Sequence, residues 1–207
     1  MTDTAAPSRR RENTRTRLMD AAATVFAEIG IDAASVEAVS ERAGFTRGAF
    51  YSNFASKEEL LLALCGRSAQ TTIAAVRARV HAIESRDLTT PDQALRFVRE
   101  VLEVAGNDRL DVLLNAELRV QALRSSDLAR AYLALHEGLA SGVSQLVLDI
   151  AERSGLPLRV PADEATELLL SAWISSSERL IMTGQEAGAV RGELEARLAR
   201  LVPLLLG

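Results

Sequence analysis

The sequence predicts an all-α protein, and three observations predict it. Apolar residues recur with the 3.6-residue period of amphipathic helices along nearly the whole chain. No segment alternates apolar and polar residues between turn residues, as a half-buried strand would. Only 5 prolines and 12 glycines occur in 207 residues, too few breaks for the many short strands of a sandwich or barrel. About nine helices are expected, with no repeat of fixed period. A composition of 48% hydrophobic and 25% charged residues suits a chain that buries a core. It excludes global disorder and collagen-like or low-complexity chains. The length suits one large or two small domains.

The elements follow in order. Residues 1–8 are small and polar and read as a disordered tail. From about Arg9 a helix begins, with Leu18, Ala22, Val25, Phe26 and Ile29 on one face and Gly30 at its left-handed end. Ser35 is a good N-cap for a short second helix. Glu37 suits that helix's positive end, and Val36, Val39 and Ala43 form its inner stripe. Gly44 stops it, and Thr46 caps a third short helix running to about Asn53. Ser56-Lys57-Glu58-Glu59 is a capping box that opens a long fourth helix through Leu60, Leu61 and Leu64 to about Ile83. Phe26, Phe45, Phe50 and Phe54 are expected to fill the core of the first three helices. Thr90-Pro91-Asp92-Gln93 caps a fifth helix, whose Leu95, Val98, Leu102 and Ala105 fall at helical spacing. Further helices are expected over 108–123, 126–153, 161–183 and 190–206. Gly106-Asn107, Ser154-Gly155-Leu156-Pro157 and the stretch from Gly184 to Gly188 separate them.

Several function classes find no support. His136-Glu137 would need a second histidine where Ala140 stands to hold a zinc. Gly142-Val143-Ser144 has Leu146 where a nucleophile elbow needs glycine. No glycine-rich phosphate loop occurs. The lone Cys65 excludes an internal disulfide, and His81 and His136 are too far apart for a structural metal site. No metal, no cofactor and no enzymatic activity are therefore expected. Ser8-Arg9-Arg10 is reminiscent of a twin-arginine start, but Asp20 and Glu28 cut the apolar stretch behind it. With no apolar run of membrane-spanning length either, a cytoplasmic protein without a membrane partner is expected.

Charge is uneven. The whole chain is acidic, with 24 Lys and Arg against 28 Asp and Glu. Residues 1–57 nevertheless carry eight basic against seven acidic residues, and the remainder sixteen against twenty-one. Nucleic-acid footprints are read from such local clustering.

The stretch from Ser35 to Phe54, SVEAVSERAGFTRGAFYSNF, holds two short helices joined by a glycine-containing turn over Ala43–Thr46. That is the pattern of a helix-turn-helix. Its second helix would present Thr46, Arg47, Gly48, Ala49, Tyr51, Ser52 and Asn53 to DNA. The Arg47 fork matches guanine O6 and N7. Gly48 and Ala49 let the backbone approach the groove floor, and Tyr51 offers a hydroxyl to phosphate. Ser35 and Val36 begin the supporting helix, with Ser35 also within reach of phosphate. Lys57, the single lysine of the chain, is a point charge for the backbone, and Arg9, Arg10 and Arg11 suit a flexible minor-groove or phosphate arm.

Residues 15 to 62 resemble the DNA-binding domain of TetR-like transcriptional regulators. The matching residues are TRLMDAAATVFAEIG from Thr16 to Gly30, Ser35-Val36, Val39-Ser40, Ala43-Gly44-Phe45-Thr46, Gly48, Phe50-Tyr51, Phe54 and Ser56 to Leu60. The resemblance implies core roles for Phe50 and Phe54, phosphate contacts for Tyr51 and Lys57, and groove contacts from Thr46 to Ala49. Asn53 stands where many members have His or Tyr, and phosphate or an adenine edge is its expected partner. It also implies a two-fold homodimer on a double-stranded DNA operator, with repression relieved by a small-molecule ligand. On this reading residues 9–55 form the DNA-binding domain and 56–207 a ligand-binding and dimerisation domain.

Within that second domain Phe97, Leu113, Leu114, Asn115, Glu117, Tyr132, His136 and Trp173 are candidate ligand contacts. The acidic remainder favours a neutral or cationic ligand. Trp173, Ser176 and Leu180, with Leu194, Leu198 and Leu201 of the last helix, are the candidate dimer face. A DNA-binding helical adaptor acting through a protein partner is the alternative.

Overall fold

The computed structural model describes residues 5–82, 109–155 and 157–184, together with Gln93, Glu100, Ala196 and Arg200. Among the described residues there are seven helices and no β-strand: α1 (Ala5–Ile29), α2 (Val36–Ala43), α3 (Arg47–Tyr51), α4 (Lys57–His81), α5 (Arg109–Ala122), α6 (Ser126–Ser154) and α7 (Ala162–Thr183). The two further helices expected over 90–105 and 190–206 lie outside the described residues, apart from Gln93, Glu100, Ala196 and Arg200, which are helical. The α1 helix starts at Ala5, inside the segment expected to be a disordered tail. Pro7 falls in its first turn, where the missing N–H has no intrahelical partner to lose.

The chain divides into two compact units. The first comprises Met1–Arg67 and Leu113–Tyr132, and the second Ser68–Val112 and Leu133–Gly207. The fourth helix contributes to both.

In the first unit Leu18, Ala22, Val25 and Phe26 of α1 are buried, as are Val39 and Ala43 of α2, Phe50 of α3, Phe54, and Leu60, Leu61, Leu64 and Cys65 of α4. The Phe50 ring lies 5.9 Å from that of Phe54 and meets Tyr51 edge-on at 5.4 Å. Two expectations are corrected. Phe45 is only half-buried, because it sits in the turn with the Arg17 guanidinium 4.7 Å over its ring. Ile29 is exposed, because α1 ends there, beyond the core.

In α5, Leu114, Leu118 and Ala122 form the buried stripe. In the second unit Val76 and Val80 of α4, Leu146 of α6 and Ala165, Thr166, Ser176, Ser177 and Leu180 of α7 are buried. Thr166 and Ser177 satisfy their hydroxyls on the carbonyls of Ala162 (2.7 Å) and Trp173 (2.9 Å), one turn back. Gly142 of α6 lies against Ile73 of α4: a Cβ there would stand 2.9 Å from Ile73 Cδ1.

Candidate nucleic-acid interface

Helices of eight and five residues are too short to stand by propensity alone. Local caps define α2 and α3. The Ser35 hydroxyl accepts from the Ala38 N–H at 3.0 Å, and Thr46 Oγ1 accepts from the Ala49 N–H at 3.2 Å. Gly44 closes α2 at φ 72°, where its N–H and that of Phe45 donate to the Glu41 and Ser40 carbonyls.

Tethers from the flanking helices then fix the pair. The Arg17 guanidinium donates to the Ala43 carbonyl at the end of α2, at 2.8 Å. The Arg15 guanidinium donates to the Asn53 carbonyl just past α3, lies 4.1 Å over the Phe54 ring and stands 3.9 Å from Glu59. Each helix thus receives a cation at its negative end. Arg42 of α2 holds Glu28 of α1 through two hydrogen bonds, of 2.9 and 2.5 Å. These bonds hold the Glu28 carboxyl below the usual carboxylate range and the Arg42 guanidinium above its ordinary value. At the start of α4, Ser56 Oγ accepts from the Glu59 N–H while Glu59 reaches back to the Ala55 N–H, one residue before the cap.

Ser35, Glu37, Thr46, Arg47, Gly48, Tyr51 and Ser52 remain exposed, with Val36 and Ala49 half-buried beneath them. A Cβ on Gly48 would meet nothing closer than Thr46 Oγ1 at 3.7 Å. Its smallness is therefore not demanded by the protein's own packing. Arg47 extends over the Tyr51 ring, 5.5 Å from its centroid, and pairs with Glu37 at 2.7 Å. The Tyr51 side chain, and then the Glu37 carboxylate, hold the guanidinium above its ordinary pKa.

Three expected contacts are corrected. Asn53 is 7% exposed: its Nδ2 donates to the Ala49 carbonyl and the Ser52 hydroxyl, and its Oδ1 is buried with no hydrogen-bond partner among the described residues. The amide is turned into the protein, so it offers neither phosphate nor adenine a contact. The Lys57 ammonium donates to the Ile31 and Ala34 carbonyls, at 2.9 and 3.2 Å, and pins the loop between α1 and α2. Arg9, Arg10 and Arg11 are exposed but belong to α1, so they are helix residues and not a flexible arm. Sequence reasoning missed Arg15 and Arg17 as positioning residues. Their partners lie 38 and 26 positions away, and nothing local separates them from the neighbouring arginines.

Residues 18–64 match the family description "Bacterial regulatory proteins, tetR family". The chain is a TetR-like transcriptional regulator. It is 25% identical over 157 residues to the HTH-type transcriptional regulator UidR of Escherichia coli (strain K12), covering 76% of each chain. It is 36% identical over 119 residues to the HTH-type transcriptional repressor Rv1474c of Mycobacterium tuberculosis, covering 56% of this chain and 61% of that one. Its fold is similar to that of a TetR transcription regulator from Haloarcula marismortui, with a TM-score of 0.71 at 15% identity over 95% of this chain and 100% of that one.

The structure divides the regulator's candidate ligand set. Leu113, Leu114, Asn115, Glu117 and Tyr132 belong to the first unit, His136 and Trp173 to the second, and Phe97 lies outside the described residues. Leu113 and Asn115 are exposed while Leu114 is buried, so neighbours on one helix face opposite ways. Glu117 accepts a 2.6 Å bond from Gln121 Nε2, and Tyr132, His136 and Trp173 are half-buried. The dimer face is corrected as well. Ser176 and Leu180 are already buried within one chain and leave no surface for a partner. Leu194, Leu198 and Leu201 lie outside the described residues. Among the described residues no group of His, Cys, Asp or Glu could hold a metal ion.

Proposed function

We propose that this regulator is a repressor that binds a pseudo-palindromic DNA operator as a homodimer and leaves it when a small molecule binds. The exposed face of α2 and α3 carries the DNA part of this reading. Arg47 reads guanine from the major groove, and Thr46, Gly48, Ala49 and Tyr51 line the approach. Ser35, Val36 and Ser52 border the face, and Arg9, Arg10 and Arg11 meet phosphates from the start of α1. The similarity to the transcriptional repressor Rv1474c supports repression. An operator as partner implies a cytoplasmic binding protein and not an enzyme. No helix among the described residues is long and apolar enough to cross a membrane.

The dimer reading moves to the other side of α7. Leu168 (48% exposed) and Met182 (82%) flank the exposed Ser171 and Ser175 at positions i, i+3, i+7 and i+14. Apolar ends around small residues suit close approach of a second copy's helix. Since α4 contributes to both units, a ligand that binds the DNA-incompetent arrangement better has a continuous rod through which to act.

Replacing Arg47 with alanine tests the site. Gel-shift titration on a selected operator is expected to show a loss of about 1–3 kcal/mol and altered preference at one base. An unchanged shift would refute the assignment. Thermal-shift screening separates a ligand sensor from an adaptor, because a small molecule selective for the folded state raises its melting temperature.

A further inference from the structure

The DNA-facing surface carries a carboxylate as well as a cation. Glu37 stands in the first turn of α2, two residues after the Ser35 cap, and its Oε1 lies 2.7 Å from Arg47 Nη1 of α3. Side-chain exposures of 63% for Arg47 and 57% for Glu37 put the pair on the face and not beneath it.

The fold gives Glu37 only a modest role, as the negative charge in the first turn of α2 that suits that helix's positive end. Ser35, Gly44 and Thr46 cap the two helices without it, Arg17 and Arg15 hold their ends, and so exposed an ion pair adds little stability. Towards DNA its effect is large. A carboxylate close to phosphates is repelled, and it occupies the arginine that would otherwise meet them. In the major groove, where this face would lie, DNA offers a carboxylate only two kinds of base donor: the cytosine N4 and the adenine N6 amino groups. Of these, cytosine accompanies the guanine that suits Arg47, so a short G·C step satisfies both members of the pair at once.

We propose that Glu37 is a specificity-determining residue, which holds Arg47 in the free protein and releases it to guanine only where a cytosine amino group replaces the guanidinium. The proposal rests on the DNA-binding reading of α2 and α3. On other sequences Glu37 either keeps Arg47 or is left facing phosphates without a donor. Either outcome weakens non-cognate binding. The acidic side chain thereby works by penalising wrong sites, complementing the attraction Arg47 supplies to the right one.

The test uses the full chain and a random 30-base-pair duplex pool. Sequences are selected with the wild type, Glu37→Ala and Glu37→Gln. The winning operator and a scrambled duplex are then titrated at two salt concentrations. Both variants should bind the scrambled duplex about 3–10-fold more tightly, since one repulsive charge is gone. Operator affinity should change less, so the specificity ratio falls at least about threefold, and selection should relax at one C·G position in each half-site. An unchanged motif with an unchanged ratio overturns the proposal. So does a parallel loss on both duplexes in the two variants. A wild-type chain that enriches no sequence overturns the DNA-binding reading itself, and this proposal with it, a result distinct from either of those.

Discussion

The α2–α3 pair and the α7 helix obey different rules. The former is eight and five residues long, and its ends are fixed by Ser35, Gly44, Thr46, Arg17 and Arg15. The latter runs 22 residues from Pro161, which makes no side-chain cap bond. Short helices cannot rely on their own hydrogen-bond ladder, so their shape must be written into individual side chains. A long amphipathic helix needs only a stripe of residues that pack. The first kind of region is intolerant at many positions, whereas the second is intolerant mainly where volume is tight.

Core truncation gives the largest expected effect. Phe54→Ala removes a ring that touches Phe50 and lies under the Arg15 guanidinium. A loss of about 3–5 kcal/mol is expected by urea denaturation, with DNA binding abolished. Leu180→Ala in α7 should fall near the low end of the range for leucine, roughly 2 kcal/mol, because Leu180 lies at the edge of the core at 8% exposure. Equal losses at the two sites would break the comparison.

The same difference explains what could be read from the chain. Caps carry residue-specific signals, so Ser35, Gly44, Thr46 and Ser56 were legible, and so was the outward face from Thr46 to Ser52. Contacts that span many residues carry none. Lys57 was expected on the DNA backbone, and nothing local marks Arg15 or Arg17, yet all three donate to carbonyls of the protein's own backbone. Asn53 looked like a polar contact because its type says nothing about which way it turns. In α7 the buried Ser176, Ser177 and Thr166 defeat a hydropathy pattern. Thr166 and Ser177 show why: each bonds its own helix backbone, and such a residue packs like a small apolar one.

Two glycines sharpen the comparison at smaller magnitude. Gly44 adopts φ 72°, with Arg17 Nη2 3.4 Å from where a Cβ would stand. Gly44→Ala is expected to cost about 1–2 kcal/mol, whatever stands opposite it, since the backbone itself is strained. Gly142 is helical, and only the methyl end of Ile73 is in the way. There, alanine's helix advantage of about 1 kcal/mol should nearly cancel the crowding, leaving Gly142→Ala close to neutral. In an Ile73→Val background the obstructing Cδ1 is gone and the same change should stabilise. A coupling of roughly 1 kcal/mol between the two sites, read from four denaturation curves, is the expected result. No coupling would remove the volume argument for the second region.

The smallest effect concerns the Glu28–Arg42 tether, and its dependence on acid identifies it. Hydrogen bonding by Arg42 lowers the Glu28 pKa in the folded chain. A carboxylate so depressed contributes fully above its unfolded value, about 4.3, and its contribution fades as pH falls through the lower folded value. Glu28→Gln should therefore lower the urea midpoint slightly at pH ~7, and the gap to wild type should narrow progressively as pH falls below about 4.3. Both side chains are open to solvent, so added salt should narrow the neutral-pH gap as well. A gap that survives acid and salt unchanged would mean that packing of the Glu28 stem, and not its charge, ties α1 to α2. That outcome would move this contact from the residue-specific tethers of the first region to the volume rule of the second.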